Sequence, residues 1–292
     1  MFEQLGLIGC GLMGSSFALA LKRAGLVKRI VGYSKSPSTT ERARQMGVID
    51  LEAPSALLAI SGADIVLLAI PVSATEATFK AIRHLVGPTT LVMDVGSTKG
   101  DVVEAARRVL QEQAGIFVPC HPITGKEVSG VEHADPDLYT GKQVILTPIE
   151  CTLNAQLLKA TEVWKALGCQ VLRMSPEAHD AAYAAVSHLP HLIAFAMING
   201  IASQAQGNDF MALAGPGFRD FTRIAASNPD VWRDILLANR QELLAQSRIF
   251  QQSLQSLEQL ISSGNAEELK SQIMQASETR AHWRISSHSA PK

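Results

Sequence analysis

The sequence predicts an N-terminal α/β domain, a parallel sheet with helices on both faces, followed by an all-helical domain. Between Leu5 and about Arg173, short runs rich in β-branched residues alternate with helical stretches, as a doubly wound sheet requires. From Ala181 to about Ala276 no strand run recurs, and Leu, Ile, Met and Ala return at helical spacing. A third observation is "GLIGCGLMG" at residues 6–14, where closely spaced glycines join the first strand to a helix.

The predicted strands are, in order, "LGLIG", "RIVGYS", "ADIVLLAI", "TLVMDV", "GIFVPC", "QVILTP" and "CQVLRM". The helix "SSFALALKRAG" follows the first of them. These patterns place an α/β domain over 1–173, a helical domain over 174–280 and a flexible tail over 281–292, the last sixteen residues, "SETRAHWRISSHSAPK", being polar and aperiodic. Pro190, inside a helical pattern, predicts a kink that leaves nearby carbonyls without chain donors. Leu243, Phe250, Leu254, Leu257 and Ile261 share one stripe of a segment from about Pro229 to Ser262. A stripe too long for one small core predicts packing against a helix of a second copy, and so a homodimer.

Composition narrows the partners. The chain has 292 residues, 47% of them hydrophobic, and buries a core without difficulty. Its 26 basic and 27 acidic residues point away from nucleic acid and anionic membranes, toward a small molecule. Cys10, Cys120, Cys151 and Cys169 form no CxxC pair, and His188 and His191, three apart, lack a third ligand, so no metal site is expected. Reduced thiols, a start "MFEQ" without a basic n-region, and a longest apolar run, "ADIVLLAIPV", of about half the ~20 residues that span a bilayer predict a soluble, cytoplasmic protein.

Gly9, Gly11 and Gly14 form GxGxxG between a strand and a helix. In that setting the first glycine makes the tight turn, the second admits a pyrophosphate to the backbone, and the third lets helix and strand pack closely. The fold class is therefore a Rossmann-type dinucleotide-binding domain with an all-α second domain. Leu12 and Met13 within the fingerprint and Pro71 beyond "ADIVLLAI" complete the expected cofactor contacts. In "GYSKSPSTTERAR" Ser34 and Lys35 stand where an acidic residue would hold a free ribose 2′-hydroxyl, the first carboxylate is Glu41, and Thr39 and Arg42 are near. A hydroxyl and a lysine suit a 2′-phosphate, which favours NADP over NAD.

Chemistry in such a sheet belongs beyond the carboxyl ends of its strands. "LVMDVGSTKG" places Ser97 and Thr98 after one strand, as site residues or as helix caps, and "IFVPCHPITGKEVSG" places His121 after the next. A histidine near neutrality is suited to take a proton from a substrate hydroxyl while hydride leaves the same carbon.

"HPITGKEVSG", "SHLPHLIAFAMI" and "GPGFRDFTRIAASNPDVWRDI", in this order behind the fingerprint, resemble the prephenate/arogenate dehydrogenase family of tyrosine biosynthesis over nearly the whole chain. The resemblance implies oxidative decarboxylation of prephenate to 4-hydroxyphenylpyruvate, or of arogenate to tyrosine, with NAD or NADP, in homodimers whose helical domains intertwine. It implies that His121 is the base on the ring C4 hydroxyl and that Ser97 orients that hydroxyl and the nicotinamide. It further implies that Arg223 holds the ring carboxylate, His191 meets the substrate side chain, Glu127 guards the entrance, and Trp232 reaches the site from a partner subunit. His179 and His282 have no evident partner. Prephenate and arogenate stay open. Two other readings stand beside this one, a β-hydroxyacid dehydrogenase or imine-reductase-like NADP enzyme, for which "SHLPH" stands in place of the expected helix lysine, and a non-enzymatic NADP sensor.

Overall fold

The computed structural model describes residues 1–126 and 128–283. It divides into a compact unit over Met1–Arg240 and a second from Gln241 onward. The first unit opens with β1 (Phe2–Ile8), α1 (Leu12–Arg23), β2 (Val27–Tyr33), α2 (Pro37–Gln45), β3 (Leu51–Glu52) and α3 (Ala56–Ile60). It continues with β4 (Ile65–Leu68), α4 (Thr75–Ile82), β5 (Leu91–Asp94), α5 (Gly100–Leu110) and β6 (Phe117–Val118). Its sheet runs β3-β2-β1-β4-β5-β6, all parallel. The order reverses between β1 and β4, which opens a crevice beyond their carboxyl ends. β4 and β5 are buried throughout, as strands covered on both faces are.

The single sheet expected as far as Arg173 is divided. "GIFVPC" splits at Pro119 into β6 and β7 (Cys120–Pro122), and β7 leaves the parallel sheet. β7 pairs antiparallel with β8 (Gln143–Leu146), and β8 pairs parallel with β9 (Gln170–Arg173) across α6 (Asn154–Ala166). Pro119 has no N–H to give to a ladder, so the strand ends there, while its carbonyl still accepts from Thr147. His121 therefore sits within β7 of a small second sheet rather than at the end of a strand of the main one. β3, two residues long, carries no sequence run to find it by.

Edge-on rings of Phe17, Tyr139 and Trp164 join α1 and α6 in one core. The buried Tyr139 hydroxyl donates to the carbonyl of Met13 at 2.7 Å, tying the glycine turn to this core.

The helical part begins with α7 (Pro176–Tyr183) and α8 (Leu189–Ala202), joined by a π turn at Ala184–His188. Pro190 lies in the first turn of α8, and this widened turn takes the place of the predicted kink. The carbonyl of Ser187 meets the ring of His191. The continuous stretch Pro176–Ala202 is long and apolar enough, by length and composition alone, to cross a membrane, although its His179, Asp180 and His188 are buried in the protein. "ADIVLLAIPV" is therefore not the most membrane-like run of the chain.

Short helices α9 (Gly207–Ala212) and α10 (Pro216–Thr222) lead to α11 (Pro229–Ala238). The segment read as one helix from Pro229 is broken at Asn239, whose side chain turns inward, before α12 (Arg240–Ser263) begins. In the second unit α12 carries the predicted stripe, with Leu254 and Ile261 exposed, and α13 (Ala266–His282) extends into the stretch read as tail. The rest of that tail, from residue 284, lies outside the described residues.

Candidate active site

The glycine turn answers to three different demands. Gly9 has φ +100°, and a Cβ there would stand 2.1 Å from the Ala69 carbonyl oxygen. A Cβ on Gly14 would stand 2.1 Å from the Gly9 carbonyl and 2.9 Å from the Ala69 side chain. A Cβ on Gly11 would meet nothing within 4 Å. Gly9 and Gly14 are thus fixed by packing, whereas Gly11 faces open space at the start of α1. No side chain caps that helix, and its first turn has no acidic residue, so its free N–H groups and positive dipole end are ready for a phosphate.

A cleft of ≈ 650 Å³ lies there, lined among others by Gly9, Gly11, Ser34, Lys35, Thr39 and Pro71. A second, of ≈ 560 Å³, is lined by Leu12, Met13, Ser97, Gly125, Lys126 and Trp232. The two share Gly11, Ala69, Pro71 and Val231, so they are halves of one groove along the carboxyl ends of β1, β4 and β5. A long two-part groove with an open glycine and an uncapped helix at its middle fits a dinucleotide. Ser34 accepts the Cys10 N–H at 2.8 Å, which turns its hydroxyl inward as a brace for the glycine turn. Arg42 pairs with Glu132 at 3.6 Å, while Lys35 is exposed on the groove and makes no ion pair among the described residues.

Neither Ser97 nor Thr98 caps α5. The cap position is Lys99, and the N–H groups of Lys99 and Gly100 donate to Asp180 at 2.9 and 2.8 Å. Ser97 remains on the groove. Lys99, fully buried, pairs with Asp94 and donates to the carbonyl of Cys120 at 2.8 Å, and Asp94 accepts the Cys120 N–H at 2.8 Å. This pair clamps β7 against the end of β5 and so fixes the backbone that carries His121.

Four histidines gather around this point. His121 Nδ1 lies 2.8 Å from His179 Nε2, and His179 Nδ1 lies 2.8 Å from Asp180 Oδ1. Tyr183 stacks on His179 at 4.6 Å and sits 4.8 Å from the His121 ring. His188 Nδ1 meets Asn239 Nδ2, which also donates to the Asp180 carbonyl. His191 stacks on Trp232, and the His188 ring stands 6.2 Å from the same tryptophan, which lines the groove. Burial holds His121 well below the usual histidine pKa, with the nearby charges of His179, Lys99 and His188 acting in the same direction. Burial likewise lowers His188 to about 4 and depresses His179 and His191, so the cluster is neutral near pH 7.

The structure thus gathers Gly9, Gly11, Leu12, Met13, Ser34, Lys35, Pro71, Ser97 and Trp232 on one groove. His191 joins it by stacking on Trp232, whereas His121 lines neither part of the groove and is held at the carboxyl end of β5 by the clamp on Cys120. Arg223, in a turn after α10, is outside the groove lining, but its charge reaches His191. Trp232 stacks on His191 of its own chain. Glu127 lies outside the described residues. Sequence reading missed the partnership of His179 and Asp180; adjacent titratable residues in "EAHD", opening an apolar helix, were the signal.

A dinucleotide groove beside a cluster of neutral histidines defines a nicotinamide-dependent dehydrogenase. Comparison with known proteins makes the class specific. The family model for the prephenate dehydrogenase nucleotide-binding domain matches residues 17–173, and that for its dimerization domain matches 175–275. Cyclohexadienyl dehydrogenase of Zymomonas mobilis is 32% identical over 96% of both chains. Prephenate dehydrogenase of Bacillus subtilis is 36% identical over 84% of this chain, which spans 66% of that relative's length. The crystal structure of prephenate dehydrogenase from A. aeolicus with hydroxyphenyl propionate and NAD+ superposes with a TM-score of 0.90 at 37% identity, covering 96% of this chain and 98% of that one. The chain belongs to the prephenate dehydrogenase family of oxidoreductases.

Proposed function

We propose that this protein oxidises and decarboxylates prephenate, or its amino counterpart arogenate, as a cytoplasmic homodimeric enzyme of tyrosine biosynthesis that favours NADP. The observation that carries the reading is His121, a buried histidine held neutral by its surroundings and clamped beside the groove.

The dinucleotide, when bound, accepts hydride from the ring carbon that bears the hydroxyl. Gly11 and the first turn of α1 hold its pyrophosphate, and Lys35 holds a 2′-phosphate. His121 takes the hydroxyl proton as the C4–H bond breaks, and Ser97 orients that hydroxyl. The C1–carboxylate bond then breaks as CO₂ leaves, its electron pair enters the ring and reaches the ketone oxygen, and the resulting phenolate takes back from His121 the proton that makes it a phenol. Aromatisation makes this step effectively irreversible, so the protein's task is placement of base, acceptor and substrate. Arg223 takes the ring carboxylate, for which its planar fork is suited, and His191 meets the side chain with Glu127 toward the entrance.

Dimer formation through the helical part is supported by the dimerization-domain match and by exposed Leu213, Leu237, Leu254 and Ile261. NADP preference is supported by Lys35 on the groove and by the absence of an acidic residue at Ser34. The deciding experiment is an initial-rate assay of prephenate and L-arogenate, each with NAD⁺ and NADP⁺. Reduced nicotinamide is expected to form, fastest with NADP⁺. No turnover in any combination, from protein that binds NADP⁺, overturns the reading.

A further inference from the structure

Each ring behind His121 is fixed by the next, and the chain ends at a carboxylate. Asp180 accepts the Lys99 N–H on Oδ1 and the Gly100 N–H on Oδ2, at the start of α5. Burial pushes its pKa up, but these bonds and that of His179 hold it below the usual carboxylate range. An ionised carboxylate only accepts, so His179 Nδ1, 2.8 Å away, donates to it. A neutral imidazole with hydrogen on Nδ1 offers Nε2 as an acceptor. His121 Nδ1, 2.8 Å from that Nε2, must then carry hydrogen, and the lone pair of His121 is left on Nε2.

We infer that His179 and Asp180 are positioning residues, a relay that locks His121 in its Nδ1–H tautomer so that Nε2 is the proton-accepting atom. His179 is fully buried and Asp180 nearly so, and neither lines the groove, so both act through His121. Tyr183, stacked on His179 and against His121, keeps both rings from turning. Of the other charged or titratable groups near the relay, Lys99 is engaged with Asp94 and the Cys120 carbonyl and His188 with Asn239, while the Asp101 carboxylate, beside Thr98 and the Val102 N–H, acts on Asp180 by charge alone. When His121 Nε2 takes the substrate proton, the new imidazolium faces Asp180 through the His179 ring, and no further proton has to move. The catalytic part of this assignment rests on the dehydrogenase reading; the tautomer does not.

Two measurements test it on the full chain. Long-range proton–nitrogen NMR of ¹⁵N-histidine protein, with His121→Asn for assignment, should show His121 protonated at Nδ1 and bare at Nε2. His179→Leu should lose that single tautomer and lower kcat by about 10- to 100-fold, a share of what a general base supplies, with KM within about twofold. His179→Gln, whose side-chain oxygen can accept from Nδ1–H, should recover most of both. A wild-type Nε2–H tautomer in a protein that turns over substrate overturns the relay alone, and needs no variant to fold. Equal slowing in His179→Leu and His179→Gln also overturns it. Absence of wild-type turnover overturns the catalytic role together with the dehydrogenase reading.

Discussion

The rings of His191 and Trp232 lie face to face, 3.4 Å between centroids and 20° from parallel. His191 is at the same time tethered through Nδ1 to the Ser187 carbonyl at 2.9 Å. Stack and tether together leave its Nε2 a single direction. Trp232→Ala should free the ring and remove an aromatic contact worth about 0.5–1.5 kcal/mol. The expected outcome is a several-fold rise in substrate KM with little change in kcat, measured by steady-state kinetics; an unchanged KM would remove the pair from substrate binding.

His121→Asn should fold, bind NADP⁺ as the parent does, and lose at least about 10²-fold in turnover. The base works in its neutral form, and burial holds its pKa below the usual histidine value of 6.5. The acid limb of kcat/KM for the parent should therefore lie below pH 6.5, with full activity maintained as pH falls through that value. An acid limb at or above 6.5 would contradict a buried base.

The same burial couples acidity to stability. His188 is lowered to about 4 in the fold, so the unfolded chain binds its proton first as pH falls. This contribution to stability is complete above about 6.5 and is lost progressively down to about 4, at up to roughly 1.4 kcal/mol per pH unit. Chemical unfolding followed from pH 7 to 4 should show the decline, and His188→Gln should make it shallower.

Gly11→Ala and Gly14→Ala separate binding from packing inside one fingerprint. The first adds a methyl where nothing stands within 4 Å, so melting temperature should hold while NADP⁺ affinity falls. The second drives a methyl to 2.1 Å from the Gly9 carbonyl and should cost about 1–3 kcal/mol of stability or more. Equal melting temperatures for the two variants would refute this division.

Lys35→Ala should raise KM for NADP⁺ by about tenfold and leave that for NAD⁺ within about twofold, since one charge contact to the 2′-phosphate is lost. Parallel loss toward both cofactors would assign Lys35 to something other than the phosphate.

Periodicity made the parallel sheet legible because its central strands β1, β4 and β5 are largely buried apolar runs, and "GLIGCGLMG" made the nucleotide site legible because its spacing carries its own chemistry. The second sheet escaped because its difference lies in pairing direction, which no residue of "QVILTP" encodes. His179 seemed partnerless because its partners are 58 residues upstream, on β7, and one residue downstream, and only the fold brings β7 within reach of α7. Lys99, a polar residue in a loop by sequence, is fully buried because Asp94, at the end of the preceding strand, receives its charge.

The π turn at Ala184–His188 holds one residue more than a regular helix would place there. An α-helix turns about 100° per residue, so this surplus sets the angular offset between His179 and Asp180 on one side of it and His191 on the other. Deleting Ala185 would give a more regular helix and a worse enzyme, because everything from His188 onward would swing by a quarter-turn or more relative to the groove. The length of this one segment is therefore under stricter constraint than most of its residue identities, and an insertion or deletion there should be harder to tolerate than a substitution at an exposed position such as Val186.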